Sequence, residues 1–123
     1  MADHDLEDRN ILIVEDDLLI AMDLEQTLND AGCIVVGFVP SVARAMAKID
    51  NNRIDAALLD VTLGGEMVFP VADRLAADGI PFVFVTAKPR SVPEHYGTHP
   101  VIAKPYSPPA VPEALAAVIS APA

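Results

Sequence analysis

The chain has 123 residues, 52% of them hydrophobic, and its 18 acidic residues against 8 Lys and Arg give a formal charge of −10. This length suits one domain with its own core, expected over residues 1–123 behind a polar arm at residues 1–9, and the apolar share excludes a disordered polyelectrolyte. The longest apolar runs fall short of a membrane span, the start MADHDLEDRN is unlike a signal peptide, and no basic cluster offers itself to phosphates, so a cytoplasmic protein that binds no nucleic acid directly is expected.

The first apolar run, ILIV at residues 11–14, is nearly all β-branched and continuous, as in a strand covered on both faces. It leads directly into Glu15, Asp16 and Asp17, whose mutual repulsion is offset either by a bound cation or by a solvated helix start, where the dipole favours acids. Ile20, Leu24, Leu28 and Ala31 then recur at helical spacing before Gly32. The second run, CIVVGFV, carries the lone Cys33, which has no partner for a disulfide, redox or zinc motif and reads as a small buried hydrophobe. Ser41 caps a second helical stripe of Val42, Ala45, Met46 and Ile49.

The third run, IDAALL, ends in Asp60, and Val61-Thr62-Leu63 and the flexible pair Gly64-Gly65 follow. An isolated, dry carboxylate is costly there, so Asp60 needs a cation, a lysine or water. It reads as a nucleophile or metal ligand rather than a cap, because the next helix is expected only from near Glu66, with Val68, Val71, Ala72 and Leu75 as its stripe and Gly79 as its end. The fourth run, PFVFV, ends at Thr86. Residues 87–99, AKPRSVPEHYGTH, have little apolar period and contain Pro89 and Pro93, which predicts an irregular loop, with room for one helical turn, where a crossover helix would stand. His95 and His99 in that loop, and His4 in the arm, are expected to be solvated, having no cysteines at zinc spacing. Tyr96 and Tyr106 are either surface anchors for a partner or covers for the core. The fifth run, PVIA, ends at Lys104 before Pro105, and Val111, Leu115, Val118 and Ile119 form a last helix whose start is blurred by Pro108, Pro109 and Pro112.

Strands alternating with helices imply right-handed crossovers. The expected fold is α/β, a flavodoxin-like, doubly wound, five-stranded parallel sheet of order 2-1-3-4-5 with its fourth helix shortened or missing. Ligands bind such sheets at the carboxyl ends of the strands, so Glu15, Asp16, Asp60, Thr86 and Lys104 are expected to meet. Asp16 and Asp60, with Glu15 near the metal directly or through water, suit Mg2+ and an in-line attack of an aspartate oxygen on phosphorus. Lys104 suits a pair with Asp60 and then with a phosphoryl oxygen.

In this order, ILIVEDD, LLDVTLGGE, FVFVTA and AKPY resemble the response-regulator receiver domain of two-component signalling over nearly the whole chain. The resemblance implies that Glu15 and Asp16 are its acidic metal pair, Asp60 the phosphoacceptor, Thr86 the switch hydroxyl and Lys104 its lysine, with the backbone carbonyl of Thr62 completing the Mg2+ site. It also implies a sensor histidine kinase or histidine phosphotransfer protein as donor and a downstream protein as partner. With no output domain expected after Ala123, the chain would act through protein contacts or as a phosphoryl shuttle or sink, assisting its own phosphotransfer and dephosphorylation rather than turning over a separate substrate.

LGGEMVFPVAD, PFVFVT and the proline-rich loop further resemble the "FAT GUY" subgroup, although Ala87-Lys88-Pro89 replaces its glycine-aromatic-glycine continuation. Val101 stands where many receivers carry an aromatic switch residue. Two rival classes are an aspartate-nucleophile phosphohydrolase, which would want an acid where Thr62 stands, and a binding module, either flavodoxin-like or a degenerate receiver. EDDLL is electrostatically wrong for a flavin phosphate, and all five receiver side chains are present.

Overall fold

A computed structural model describes residues 6–120. Its elements run β1 (Asn10–Val14), α1 (Leu18–Asp30), β2 (Ile34–Val39), α2 (Val42–Asn51) and β3 (Ala56–Leu59), then a hairpin of two short strands, Thr62–Leu63 and Glu66–Met67. After these come α3 (Phe69–Ala77), β4 (Phe82–Thr86), two 3-10 turns (Pro89–Ser91 and Glu94–Tyr96), β5 (Val101–Ala103) and α4 (Ala110–Ser120). The five long strands form one parallel sheet of order β2-β1-β3-β4-β5, the expected doubly wound order.

Two apolar layers hold the sheet. Along β3 the side chains alternate: Ala57 and Leu59 pack with Leu12, Phe82 and Phe84 under α2 and α3, while Ala56 and Leu58 pack with Ile11, Ile13 and Val83 under α1 and α4. The three central strands are thus covered on both faces, which is why they read as unbroken apolar runs. The edge strands depart from that expectation, with Ile34 on β2 and Val101 on β5 exposed. An edge strand has one neighbour, and β5 follows the segment that lacks a crossover helix.

The helix signals behave as their chemistry predicts. The Ser41 side chain accepts the Arg44 N–H, and Gly32 takes a positive φ just past the end of α1. One boundary differs: α3 starts at Phe69 rather than near Glu66, because residues 62–67 pair antiparallel around Gly64 and Gly65, whose φ of 53° and 93° suit a two-residue hairpin turn. The arm is not wholly polar in behaviour either. Leu6 is buried in the layer under α1, and the Asp8 N–H donates to the Gly32 carbonyl; residues 1–5, including His4, lie outside the described residues.

Residues 87–99 hold two 3-10 turns and no α-helix, and Tyr96 and His99 turn inward. Tyr96 is buried, stacked on Phe69 at 5.5 Å between ring centroids and edge-on to Phe84 at 5.6 Å, and its hydroxyl donates to Asp73 on α3. Of the two readings open for this tyrosine, it takes the core cover. His99 is not solvated as expected but stacks on Phe82 at 3.9 Å, and burial lowers its pKa; His95 is exposed against the Tyr96 ring. Among the described residues, no helix is long and apolar enough to cross a membrane.

Candidate functional site

Register aligns the strand ends. Val14 pairs with Leu59, Leu59 with Phe84, and Thr86 with Ala103, so Glu15, Asp60, Thr86 and Lys104 all stand at the carboxyl edge of the sheet. The ladders continue one residue further: the N–H groups of Glu15, Asp60 and Lys104 donate to the carbonyls of Val39, Val14 and Thr86 at 2.9 Å each. The backbones that carry these side chains are therefore fixed by the sheet itself.

The three adjacent acids divide their work. Asp17 is the helix cap, its Oδ1 accepting from the N–H groups of Leu19 and Ile20, which satisfies two orphan donors of α1. Glu15 is buried, with Oε1 accepting from Lys104 Nζ at 2.7 Å and Oε2 from the Asp17 N–H at 3.1 Å. Asp16 is exposed, and its Oδ2 accepts the Gly64 N–H at 2.8 Å. The helix-start reading of the acidic run thus holds for Asp17, while Glu15 and Asp16 face the sheet edge instead.

Lys104 reaches Asp60 as well, with Nζ 3.2 Å from Oδ2, and the peptide between Lys104 and Pro105 is cis. Glu15, Asp16 and Asp60 each bring one carboxylate oxygen to a common point, all within 4.8 Å of one another. Three carboxylates beside one ammonium leave an uncompensated negative charge, and hard oxygen donors of this kind fit Mg2+, which binds through one or two carboxylates and keeps several waters. Burial pushes the Glu15 carboxyl up to about 7, against the opposing hydrogen bond from Lys104. Burial also draws the Lys104 ammonium down, but its hydrogen bond to Glu15 and the charges of Glu15 and Asp60 outweigh that and raise its pKa.

Thr86 is buried, and its Oγ1 accepts the Lys88 N–H at 3.0 Å, joining the end of β4 to the start of the 87–99 segment. Thr62 stands two residues past Asp60 with its side chain exposed at the opening of the hairpin. Sequence reasoning missed the hairpin and the Gly64 contact to Asp16; the Gly64-Gly65 pair was the available signal, since consecutive glycines suit the positive φ values of a tight hairpin turn. An open groove beside the site is lined by Leu19, Ile20, Asp23, Lys104 and Tyr106. Among the described residues, no buried side-chain nitrogen or oxygen lacks a hydrogen-bond partner.

Residues 11–116 match the model of the response regulator receiver domain. The phyllosphere-induced regulator PhyR of Methylorubrum extorquens is 36% identical over 104 residues, which are 80% of this chain and 39% of PhyR. The chain thus spans about two-fifths of the length of that relative. The solution structure of SdrG from Sphingomonas melonis Fr1 is 47% identical with a TM-score of 0.81, covering 94% of this chain and 98% of SdrG. The solution structure of the BeF3-activated conformation of SdrG, from Pseudomonas melonis Fr1, is 46% identical with a TM-score of 0.76, covering 89% of this chain and 95% of that one.

Proposed function

The chain belongs to the response regulator receiver family, and from that premise we propose that it is a phosphorylation-dependent signalling switch whose phosphoacceptor is Asp60. The observation that carries this reading is the meeting of Asp60 with Lys104 at 3.2 Å and with the carboxylates of Glu15 and Asp16 at the end of a buried central strand. Glu15, Asp16, Asp60 and the Thr62 carbonyl would hold Mg2+, which when bound neutralises charge on the transferring phosphoryl group. An Asp60 oxygen attacks phosphorus in line, the phosphorus–nitrogen bond of a phosphohistidine breaks, and the imidazole leaves with its electron pair and takes a proton from water. The product is an acyl phosphate on Asp60. Hydrolysis by water returns the carboxylate, so the chain is a transient phosphoryl carrier that assists both steps, not an enzyme with a separate substrate.

Lys104 is placed to exchange its hydrogen bond to Asp60 for one to a phosphoryl oxygen. Thr86 is already committed, as acceptor, to Lys88. A rotation of the Thr86 side chain that carries Oγ1 toward a phosphoryl oxygen draws it away from the Lys88 N–H, and the change enters residues 87–99. Val101 supplies no aromatic ring to follow Thr86, so the loop itself carries the signal to a downstream protein in the cytoplasm.

The donor is a sensor histidine kinase or a histidine phosphotransfer protein. Leu18, Leu19 and Met22, exposed by 59%, 78% and 51%, give it an apolar landing on α1 beside the groove that borders the site. The test is a titration of wild type and Asp60→Asn with beryllofluoride and Mg2+, followed by amide NMR. Responses centred on residues 87–106 in wild type alone support the reading; equal responses from both proteins, or none from wild type, refute it.

A further inference from the structure

We propose that Glu66 is a positioning residue for the cation site: it pins the hairpin that holds Asp16, and so sets the affinity for Mg2+ from outside the ligand sphere. The inference rests on the metal site proposed above and adds a residue to it.

The turn of the hairpin has little to hold it. Leu63 is buried within it, while Thr62, Gly64, Gly65, Glu66 and Met67 are exposed, and two pairs, Thr62 with Met67 and Leu63 with Glu66, make up its ladder. Its base is closed by the Val68 N–H on the Val61 carbonyl, between two fully buried valines. A two-stranded hairpin this short is marginal alone, so contacts at its far end decide where the turn sits.

Two such contacts exist, and they pull in different directions. Glu66 Oε1 accepts the Val42 N–H at 2.8 Å, across 24 residues, on the first helical residue of α2. That N–H is an orphan donor at the positive end of a helix dipole, a favourable partner for a carboxylate. On the other side the Gly64 N–H donates to Asp16 Oδ2. Since Leu63 and Glu66 are paired directly across the turn, fixing Glu66 on α2 fixes the amide of Gly64 as well.

Asp16 is the exposed member of the carboxylate trio, and a free side chain there would sample several rotamers. The Gly64 N–H holds Oδ2 and so fixes the orientation of the whole carboxylate, an outer-shell contact of the kind that tunes metal affinity. Ser41 serves the Arg44 N–H and Glu66 the separate Val42 N–H, so the Glu66 contact both completes the start of α2 and ties the hairpin to it.

The experiment measures Mg2+ affinity of the full chain by amide NMR for wild type, Glu66→Ala, Glu66→Gln and Ser41→Ala, with exchange of the Gly64 amide recorded before any Mg2+ is added. The expected result for Glu66→Ala is Mg2+ binding about tenfold weaker, the low end of what losing an outer-shell partner costs, with faster Gly64 exchange. Glu66→Gln keeps an acceptor oxygen and loses only the charge, so it weakens Mg2+ less than Glu66→Ala does, and Ser41→Ala removes the cap at the Arg44 N–H while leaving the Val42 N–H to Glu66, so it keeps Mg2+ affinity near wild type. An unchanged affinity in Glu66→Ala overturns the proposal. Equal weakening in Glu66→Gln overturns it too, since the effect would then be charge, as does equal weakening in Ser41→Ala, since it would then be helix stability. A wild type that binds no Mg2+ removes the metal site and this inference together, whereas phosphorylation that persists in Asp60→Asn while Glu66→Ala weakens Mg2+ removes only the functional reading.

Discussion

Replacing Tyr96 separates what a ring contributes from what a hydroxyl contributes to fastening the 87–99 segment. The ring is buried against Phe69, Phe82 and Phe84, so Tyr96→Ala opens a cavity and should destabilise the fold by about 3–5 kcal/mol. Tyr96→Phe keeps every ring contact and removes the hydroxyl that donates to Asp73. Asp73 is exposed, so water replaces the lost donor and no orphan is left; the loss should be about 1 kcal/mol. Urea titrations followed by circular dichroism at the helix band measure both, with an unchanged denaturant slope as the sign that the two variants unfold as wild type does. A Tyr96→Ala loss below about 1 kcal/mol would mean the segment is not anchored by this residue. A Tyr96→Phe loss as large as that of Tyr96→Ala would shift the anchor from packing to the hydrogen bond.

The same residue predicts a pH effect. Burial first, and then the hydrogen bond to Asp73, push Tyr96 up to about 12, so the folded protein holds this proton more tightly than the unfolded chain. Its contribution to stability is then complete below the ordinary tyrosine value and lost as pH rises through about 12, and the alkaline fall in urea midpoint should be shallower in Tyr96→Phe. Thr86→Ala removes the acceptor of the Lys88 N–H and should cost about 1 kcal/mol. It should speed amide exchange at Lys88 and shrink the beryllofluoride response of residues 87–99 while leaving Asp60 competent to accept phosphate; an undiminished loop response would remove Thr86 from the switch.

The site was legible because of what burial does to a parallel strand. With both faces covered, β1, β3 and β4 leave no room for polar residues until the chain emerges at the carboxyl edge, so Glu15, Asp60 and Thr86 stand out in sequence as they do in space. Tertiary pairings across a long loop left no such trace. Nothing in the spacing of Tyr96 and His99 says that one ring stacks on Phe69 and the other on Phe82, and loops of that composition usually face water. Leu6 was hidden for a related reason, as a single apolar residue among charges has no period to reveal it. The helix start was misjudged by three residues because Glu66 and Met67 are ordinary in a helical first turn, and only the positive φ of Gly64 and Gly65 makes them a returning strand.

Phosphoryl transfer to Asp60 is the claim on which the rest depends, and intact-protein mass spectrometry reads it directly. Wild type and Asp60→Asn are incubated with acetyl phosphate, with and without Mg2+, and weighed before the acyl phosphate hydrolyses. One added phosphoryl group on wild type, dependent on Mg2+ and absent from Asp60→Asn, is the predicted result. The same added mass on Asp60→Asn, or none on wild type with Mg2+ present, would contradict it.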